Sequence, residues 1–457
     1  MKTIQSILYA AIALLLWGCD SFVEVDLPQS MLTGPQVFQD KSTVEAAMSD
    51  IYTKLRDEGF LSGGLSGASA SFGLYADELI TYSGAGSPED NLFTNSLLAS
   101  NSVVLDYWNR AYHHIYCANA IIEGVEASAS LSPEDKNRFK GEALFVRALA
   151  HFYLTNTFGD VPFIATTDYE ANRRAVRQPA VQVYEKMIAD LQLSIELFPA
   201  GYSVPERTKP DRYAAYALLA RVYLYDGRWA EAADAATAVL DAPGFVLEEN
   251  LDNVFLKESR STIWQFKPKI TGSNADEGAT FIFMDTPPPS LSLREELVGA
   301  FETGDLRRVH WVKTIDDGTS QWHHAYKYKQ NVNTGTSLEY SVVFRLEEML
   351  LIRAEALARL GDLEGGLTDL NTIRNRAGLV NAEASSSEVL VNAILQERRI
   401  EFFTEYGHRF FDLKRTQKAN EILSLAKPGW NSTDILWPLP EQELLANSAL
   451  APQNPGY

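Results

Sequence analysis

The sequence is poor in cysteine, and its two cysteines lie far apart. The 457 residues include only Cys19 and Cys117. Cys19 lies at the end of an apolar amino-terminal stretch, whereas Cys117 lies within a helical pattern. These positions indicate different roles for the two cysteines rather than a disulfide between them. We expect Cys117 to be a small, buried apolar residue of a helix.

Clusters of basic residues are also missing. The chain has 40 Lys and Arg against 60 Asp and Glu, which gives a net charge of -20. Binding to nucleic acid requires grouped Lys and Arg side chains that neutralise phosphates, and no such group is visible. We therefore expect no nucleic-acid partner, and we interpret the acidity as a solvated exterior.

Signatures of metal and phosphate chemistry are equally scarce. The adjacent pairs His113-His114 and His323-His324 point apart on a helix or a strand, and neither has the spacing of a helical metal site. The segments 64–69 and 86–90 lack the strand-to-helix context of a phosphate loop. We expect no metal and no cofactor. A glycoside hydrolase function stays open as an alternative, because its two catalytic carboxylates can come from distant positions and sequence spacing does not test for them.

The amino terminus has the form of a targeting segment. Lys2 precedes an apolar stretch, residues 4–17, that is too short to span a bilayer comfortably. It ends in Leu16-Trp17-Gly18-Cys19, which resembles a bacterial lipobox, although Trp17 replaces the usual small or aliphatic residue. We predict a signal peptide over 1–18, acylation of Cys19 by fatty acids such as palmitate, and a tether over 19–41. The alternative is an ordinary secretory signal with a chance cysteine.

A repeated helical hairpin dominates the rest of the chain. In 344–379, the side chains of Leu346, Leu350, Ala354 and Leu357 fall on one helical face, and Gly361 separates this helix from a second one. The same residue pattern occurs 134 residues earlier, where Ala220, Gly227 and Gly244 correspond to Ala354, Gly361 and Gly378. Small residues at helix contacts and a turn glycine are typical of tetratricopeptide repeats.

The predicted fold is therefore mainly α, with about four tetratricopeptide-like hairpins in a single body over 42–457. Further helices are predicted at 42–57, 103–126, 133–157 and 181–197. Long loop and short-strand excursions interrupt the repeats near 59–101 and 245–343. Within the second excursion, STIWQFKP and ATFIFMD have strand character.

The excursions concentrate aromatic residues outside the repeats, which suggests a binding site. We predict that the segments 59–101 and 304–328 meet and present Tyr82, Trp311, Trp322 and Tyr326 to a ligand. Sugar rings have apolar faces that stack on such side chains. The alternative for each aromatic is burial in the core, and the alternation of Tyr326-Lys327-Tyr328-Lys329 is compatible with one buried face.

The carboxy-terminal region is rich in both charges and aromatics. From Glu388 we predict one helix through Arg415. The charged residues in ERRIEFFTEYGHRFFDLKR (397–415) invite an acid–base interpretation, but we favour ion pairs at the edge of a packed aromatic face. Trp437 and Pro438 are expected to anchor the tail by burial of the indole.

Three stretches together resemble the SusD/RagB family of outer-membrane nutrient-binding lipoproteins: EALFVRALAHFYLTNTFGDVPF (142–163), 397–415, and the end of the chain with Asn454-Pro455-Gly456-Tyr457. The resemblance implies a helical-repeat lipoprotein on the outer surface of a Gram-negative outer membrane. Such proteins bind a glycan, or less often another nutrient, without chemistry, and deliver it to a SusC-like TonB-dependent transporter. A structural adaptor that binds protein in its repeat grooves is the other non-enzymatic interpretation.

Overall fold

A computed structural model describes residues 34–457 of the protein. Cys19, the predicted signal peptide and most of the predicted tether lie outside the described residues. The described end of the tether contains a short helix, α1 (Gly34–Val37), and Phe38 packs against the main core. The main-chain oxygen of Phe38 accepts a hydrogen bond from Ser128 Oγ at 2.6 Å. The folded body therefore begins slightly before residue 42.

Long helices form the body of the protein. They are α2 (Lys41–Asp57), α5 (Ser102–Ala127), α6 (Pro133–Phe158), α8 (Ala180–Leu197), α9 (Arg212–Asp226), α10 (Trp229–Leu240), α14 (Leu346–Leu360), α15 (Leu363–Arg376) and α16 (Ser387–Glu401). Capping side chains determine where several of these helices begin. Asp40, Asn101 and Ser132 each accept a hydrogen bond from a main-chain N–H in the first turn of the helix that follows.

These helices pack as consecutive neighbours. Four pairs correspond to the predicted hairpins: α2 with α5, α6 with α8, α9 with α10, and α14 with α15. Contacts of α5 with α6, α8 with α9, and α10 with α14 join one pair to the next. The mainly α, tetratricopeptide-like fold is confirmed. Within residues 34–457, no helix has the length and apolar character needed to cross a bilayer.

The two clear repeats close as predicted. Gly227 and Gly361 end α9 and α14 in the left-handed conformation, with φ of 75° and 91°. A methyl group at Gly366 would lie 2.9 Å from the main-chain oxygen of Ala354, so a small residue is needed where α14 and α15 touch. One boundary differs from the prediction, because Phe344 lies in a strand and α14 begins at Leu346. On α5, Cys117 is half-buried rather than fully buried.

Shorter elements occupy the excursions. The first contains α3 (Ala68–Tyr75), β1 (Leu79–Thr81) and α4 (Pro88–Phe93), with α7 (Tyr169–Asn172) in the later loop after α6. The second contains β2 (Thr262–Phe266), α11 (Asp276–Phe281), β3 (Leu291–Leu293), α12 (Glu295–Val298), α13 (Leu306–His310), β4 (Val312–Asp316), β5 (Gln321–Ala325) and β6 (Ser341–Arg345).

Two details of the excursions were predicted wrongly. The first excursion does not simply lie over the helices, because every residue of α3 is buried. In the second, STIWQFKP does form β2, but ATFIFMD forms the end of α11 and a loop. The acidic residues Asp276 and Glu277 stand in the first turn of α11, where they complement the helix dipole and favour a helix over a strand.

The predicted helix over 388–415 is two helices. After α16 the chain turns through Thr404, Tyr406 and Gly407, which all have positive φ, and α17 (His408–Arg415) follows. The ion pairs are present, but they are buried in the core rather than placed at its edge. Glu401, which is fully buried, is paired with Arg307, Arg345 and Arg376. The turn brings α17 back against α16, with Arg398 Nε 2.7 Å from Asp412 Oδ2.

The tail after α18 (Ala419–Ala426) returns to the body through α19 (Glu441–Ala446) and is held there by buried groups. Trp437 is fully buried, and its ring packs against Phe72 and Tyr107. The side-chain amide of Asn454 donates hydrogen bonds of 2.8 Å to the main-chain oxygens of Phe158 and Trp437. The expected anchoring of the tail is confirmed.

Candidate functional site

A four-stranded antiparallel sheet joins the two excursions. Its strand order is β1-β3-β5-β4, so β1 of the first excursion pairs with a strand of the second. Leu79 pairs with Leu293, and Leu293 pairs with His323. Because β1 and β5 are both antiparallel to β3, they run in the same direction. Residues at the carboxyl ends of β1 and β5 therefore lie at the same end of the sheet.

A tight hairpin positions β5. The turn after β4 contains Asp317 and Gly318, and Gly318 has a φ of 88°. The side chain of Asp317 accepts hydrogen bonds from the main-chain N–H groups of Thr319 and Ser320, at 2.8 and 2.9 Å. Asp and Gly in such a turn are a typical hairpin signal. This signal was available in the sequence and would have identified the β4–β5 pair.

The two faces of the sheet differ. Leu79, Leu293 and Ala325 belong to the face that packs into the core, and all are buried. Side chains alternate along a strand, so Ser292, Trp322, His324 and Tyr326 belong to the opposite face, which we call the aromatic face. Trp322 and Tyr326 are half-buried on this face.

Tyr82 joins the aromatic face from the first excursion. It directly follows β1 and extends the ladder, because its N–H donates to the main-chain oxygen of Ser290 at 2.8 Å. Its hydroxyl lies 3.2 Å from Ser292 Oγ. Tyr326 directly follows β5, so both tyrosines stand at the same end of the sheet. Trp322 is four residues away from Tyr326, which corresponds to about 13 Å along the strand.

Two lysines lie close to the ring of Tyr326. The Nζ atoms of Lys313 and Lys329 lie 5.0 and 4.5 Å from its ring centroid, within cation–π range. Lys329 is held in place by Asp252, with its Nζ 3.1 Å from Oδ1, and burial lowers the pKa of Lys329 against the opposing effect of that carboxylate. Lys313 is exposed, which leaves its ammonium group available to a hydroxyl or carbonyl of a ligand.

Two histidines complete the sheet and favour the neutral form. His324 is buried on the aromatic face beside Phe283, with ring centroids 5.0 Å apart, and burial lowers its pKa. His323 lies on the other face, between Thr314 and Glu295. Burial lowers the pKa of His323 as well, although Glu295 acts in the opposite direction. Near neutral pH the imidazole of His324 is therefore uncharged, and because it is 2% exposed it packs inside the protein.

Trp311 does not belong to this site. It is 0% exposed, and its indole N–H donates to the main-chain oxygen of Leu251 at 3.0 Å. The short helix α13 ends just before it and turns the side chain inward, against the ring of Phe255. The prediction of Trp311 as a ligand platform is therefore wrong, because the residue is part of the core.

Two further aromatics of the second excursion are also structural. Trp264 and Tyr328 are buried, and the hydroxyl of Tyr328 accepts a hydrogen bond from the N–H of Val342 at 2.9 Å. The expected alternation after β5 fails, because Lys327 is buried too and pairs with Glu405. The structure thus brings Tyr82, Trp322 and Tyr326 to one face and adds the exposed Lys313 beside Tyr326, which sequence reasoning missed.

The arrangement is suited to binding by stacking and hydrogen bonding. It combines partly exposed aromatic rings with the exposed ammonium group of Lys313, and these are the kinds of group that contact apolar ring faces and ligand hydroxyls. Among residues 34–457, no cluster of three or more His, Cys, Asp or Glu side chains is arranged to hold a metal ion.

Two family models match the chain. Residues 74–224 match a model described as starch-binding and associating with the outer membrane, and residues 313–457 match the model of the SusD family. The first match includes β1 and Tyr82, and the second includes the β4–β5 hairpin. Together they cover more than half of the chain.

Individual proteins are similar over nearly the whole length. SusD-like protein P2 of Formosa agariphila is 28% identical, over 99% of this chain and 99% of that protein. A laminarin-binding SusD-like protein has a similar structure, with a TM-score of 0.77 and 23% identity over 92% of this chain and 100% of that one. Surface glycan-binding protein A from Bacteroides thetaiotaomicron has a TM-score of 0.77 and 20% identity, with the same coverage. The two structural comparisons establish likeness of fold.

Proposed function

Because the chain belongs to the SusD/RagB family, we propose that it is a cell-surface lipoprotein that binds a nutrient, an oligo- or polysaccharide, and passes it to a SusC-like TonB-dependent transporter in the outer membrane. In this proposal the protein binds its ligand and performs no chemistry on it. Acylated Cys19 holds the protein to the outer leaflet, and the repeat helices supply the extended surface for the transporter.

The observation that carries the proposal is the aromatic face. Tyr82 and Tyr326 stand at one end of a sheet that joins the two excursions, and Trp322 lies on the same face. The half-buried state of Trp322 and Tyr326 leaves part of each ring accessible. We propose that sugar rings stack on these side chains while the exposed ammonium group of Lys313 contacts hydroxyl groups.

The relatives support a glycan as the ligand. One similar structure is named as laminarin-binding and another as a surface glycan-binding protein. Their aligned length includes nearly the whole chain, so the same overall scaffold carries those functions. We extend the ligand class, but no particular glycan, to this protein.

The test is the variant Trp322→Ala, purified in detergent and assayed on a glycan array. Stacking on one aromatic contributes on the order of 1 kcal/mol, so removal of the indole should weaken binding about tenfold. Because Trp322 is half-buried in a short strand, we expect only a small change in melting temperature.

Trp311→Ala is the matched control, since it removes the same side chain from the core. Truncation of a buried tryptophan costs about 3–5 kcal/mol of unfolding free energy, so this variant should melt earlier while its folded fraction binds normally. If Trp322→Ala instead lost stability and kept full affinity for every glycan bound by the parent protein, the proposed role of Trp322 would be refuted.

A further inference from the structure

A second cavity lies away from the aromatic face. It has a volume of about 530 Å³ and is lined by one face of α5, by the loop that contains α7, and by α19 with the residues that follow it. We call it the α5 groove. It shares no lining residue with the aromatic face, and its size falls within the range of about 300–1,000 Å³ that is typical of ligand sites.

An aromatic stripe forms one wall of the α5 groove. Trp108, Tyr112 and Tyr116 follow one another at intervals of four residues, which places them on one face of the helix. The rings of Trp108 and Tyr112 are 4.8 Å apart. Tyr116 is 51% exposed, and Tyr169 on the facing loop is 73% exposed. The groove therefore presents tyrosine rings, rather than aliphatic side chains, to solvent.

The walls of the groove are held firmly. The hydroxyl of Tyr112 donates to the main-chain oxygen of Pro162 at 2.9 Å, and Asn172 fixes the loop by donating to the main-chain oxygen of Thr166 at 2.8 Å. On the other side, the side-chain amide of Asn447 donates to the main-chain oxygen of Ala175 at 2.8 Å. A groove with fixed walls loses little conformational entropy when it binds a ligand.

The lining is close to electrically neutral. Its charged side chains are Arg173, which pairs with Glu170 at 2.7 Å, and Glu443, whose pKa is raised by burial. The other polar groups at the rim include the amides of Asn109 and Asn172. An anionic glycan would find no cluster of free cations here, whereas rings and amides suit a ligand with apolar ring faces and many hydroxyls.

We propose that the α5 groove is a second binding site, which takes a short stretch of a neutral glycan. This inference rests on the proposed function, because it assigns the groove to the same class of ligand. Tyr116 and Tyr169 stack on sugar rings, and the amides at the rim contact hydroxyls. Two separate sites on one chain hold a long polysaccharide more tightly than either site alone, since binding at one raises the local concentration at the other.

The experiment compares retention of the detergent-purified protein in native gels that contain laminarin, starch, xylan or galactomannan. Tyr116→Ala with Tyr169→Ala should weaken retention about thirtyfold, as expected for the loss of two stacking contacts. Tyr116→Phe with Tyr169→Phe should restore it, because the rings remain. Leu445→Ala is the control, since Leu445 is 81% exposed on α19 but does not line the groove.

The possible outcomes distinguish binding in the α5 groove from binding at the aromatic face. A further loss when Trp322→Ala and Tyr326→Ala are added would support two independent sites. Retention that depends on Trp322 and Tyr326 but is unchanged by the loss of Tyr116 and Tyr169 would overturn the α5 groove alone. The groove would also be overturned as a glycan site if its variant bound glycan normally but no longer co-purified with the transporter. A parent protein that no neutral polysaccharide retains would overturn both proposals.

Discussion

Glu78 is a carboxylic acid buried beside another carboxylate. It directly follows Asp77, and burial together with the negative charge of Asp77 raises the pKa of Glu78 to about 8. Asp77 keeps its charge because Arg409 and Arg399 pair with it. In the folded protein Glu78 therefore holds a proton at pH values where the unfolded chain has lost it.

This difference makes stability depend on pH. Between about pH 4.5 and pH 8 the folded state binds more protons at Glu78, so the free energy of unfolding falls as the pH rises, by at most about 1.4 kcal/mol per pH unit. Glu78→Gln cannot titrate, so the variant should become steadily more stable relative to the parent as the pH rises from 5 to 8. Urea unfolding at pH 5, 6.5 and 8 measures this. Exposed Glu249→Gln is the control, and parallel curves for Glu78→Gln and the parent would contradict the expectation.

At the scale of elements, the repeat hairpins depend on close contact between two helices. Gly366 on α15 faces Ala354 on α14, and an added methyl group would meet the main-chain oxygen of Ala354 at 2.9 Å and Leu390 Cδ2 at 3.0 Å. Leu390 belongs to α16, so one glycine controls the approach of three helices.

Gly366→Ala should therefore destabilise the protein, although alanine favours helix. Crowding of a packed contact typically lowers the free energy of unfolding by about 1–3 kcal/mol, whereas the higher helix propensity of alanine raises it by up to about 1 kcal/mol. We therefore expect urea unfolding to show a net decrease of about 1–2 kcal/mol. Gly84→Ala serves as the control, because a methyl group there meets nothing within 4 Å. Equal stability of the two variants would show that α14 and α15 can separate at little cost.

At the scale of the whole molecule, one buried carboxylate joins distant parts of the chain. Glu401 at the end of α16 contacts Arg307 of α13, Arg345 of β6 and Arg376 of α15. Burial by itself would raise the pKa of Glu401, but the three positive charges hold it well below its usual range. The second excursion and the last repeats are thus fastened together through one side chain.

Glu401→Gln leaves three buried guanidinium groups short of negative charge. Breaking a buried ion pair costs about 3–5 kcal/mol, so we expect a loss of this size in urea unfolding. Glu231→Gln removes a partner of Arg228 on the surface and should cost no more than about 1 kcal/mol. A similar small effect for both variants would mean that water or neighbouring groups replace the missing charge of Glu401.

Attachment to the membrane is also a property of the whole molecule. If Cys19 is the acylated amino terminus of the mature protein, Cys19→Ala should move the protein from the membrane fraction to the released fraction. Several acyl chains contribute about 0.8 kcal/mol per buried methylene, which no other predicted feature replaces. Fractionation of cells followed by immunoblotting measures the shift, with Cys117→Ala as the control. Retention of Cys19→Ala in membranes would contradict the anchor.

The sequence alone was sufficient for the repeats and the family. Helical periodicity, capping residues and turn glycines act between neighbours in the chain, so Leu346, Gly361 and their counterparts predicted the hairpins correctly. The anchoring of the tail by Trp437 was also predicted correctly, but the rings that cover it, Phe72 and Tyr107, are distant in the sequence and were not predicted.

Only the tertiary structure decided which aromatics reach the surface. Trp311 and Trp322 have the same side chain and lie in the same excursion, yet α13 turns the first into the core and the β4–β5 hairpin leaves the second half-exposed. The meeting of β1 with β3, which brings Tyr82 to this face, joins residues about 200 positions apart. Exposure depends on which distant segment covers a residue, and neither periodicity nor composition contains that information.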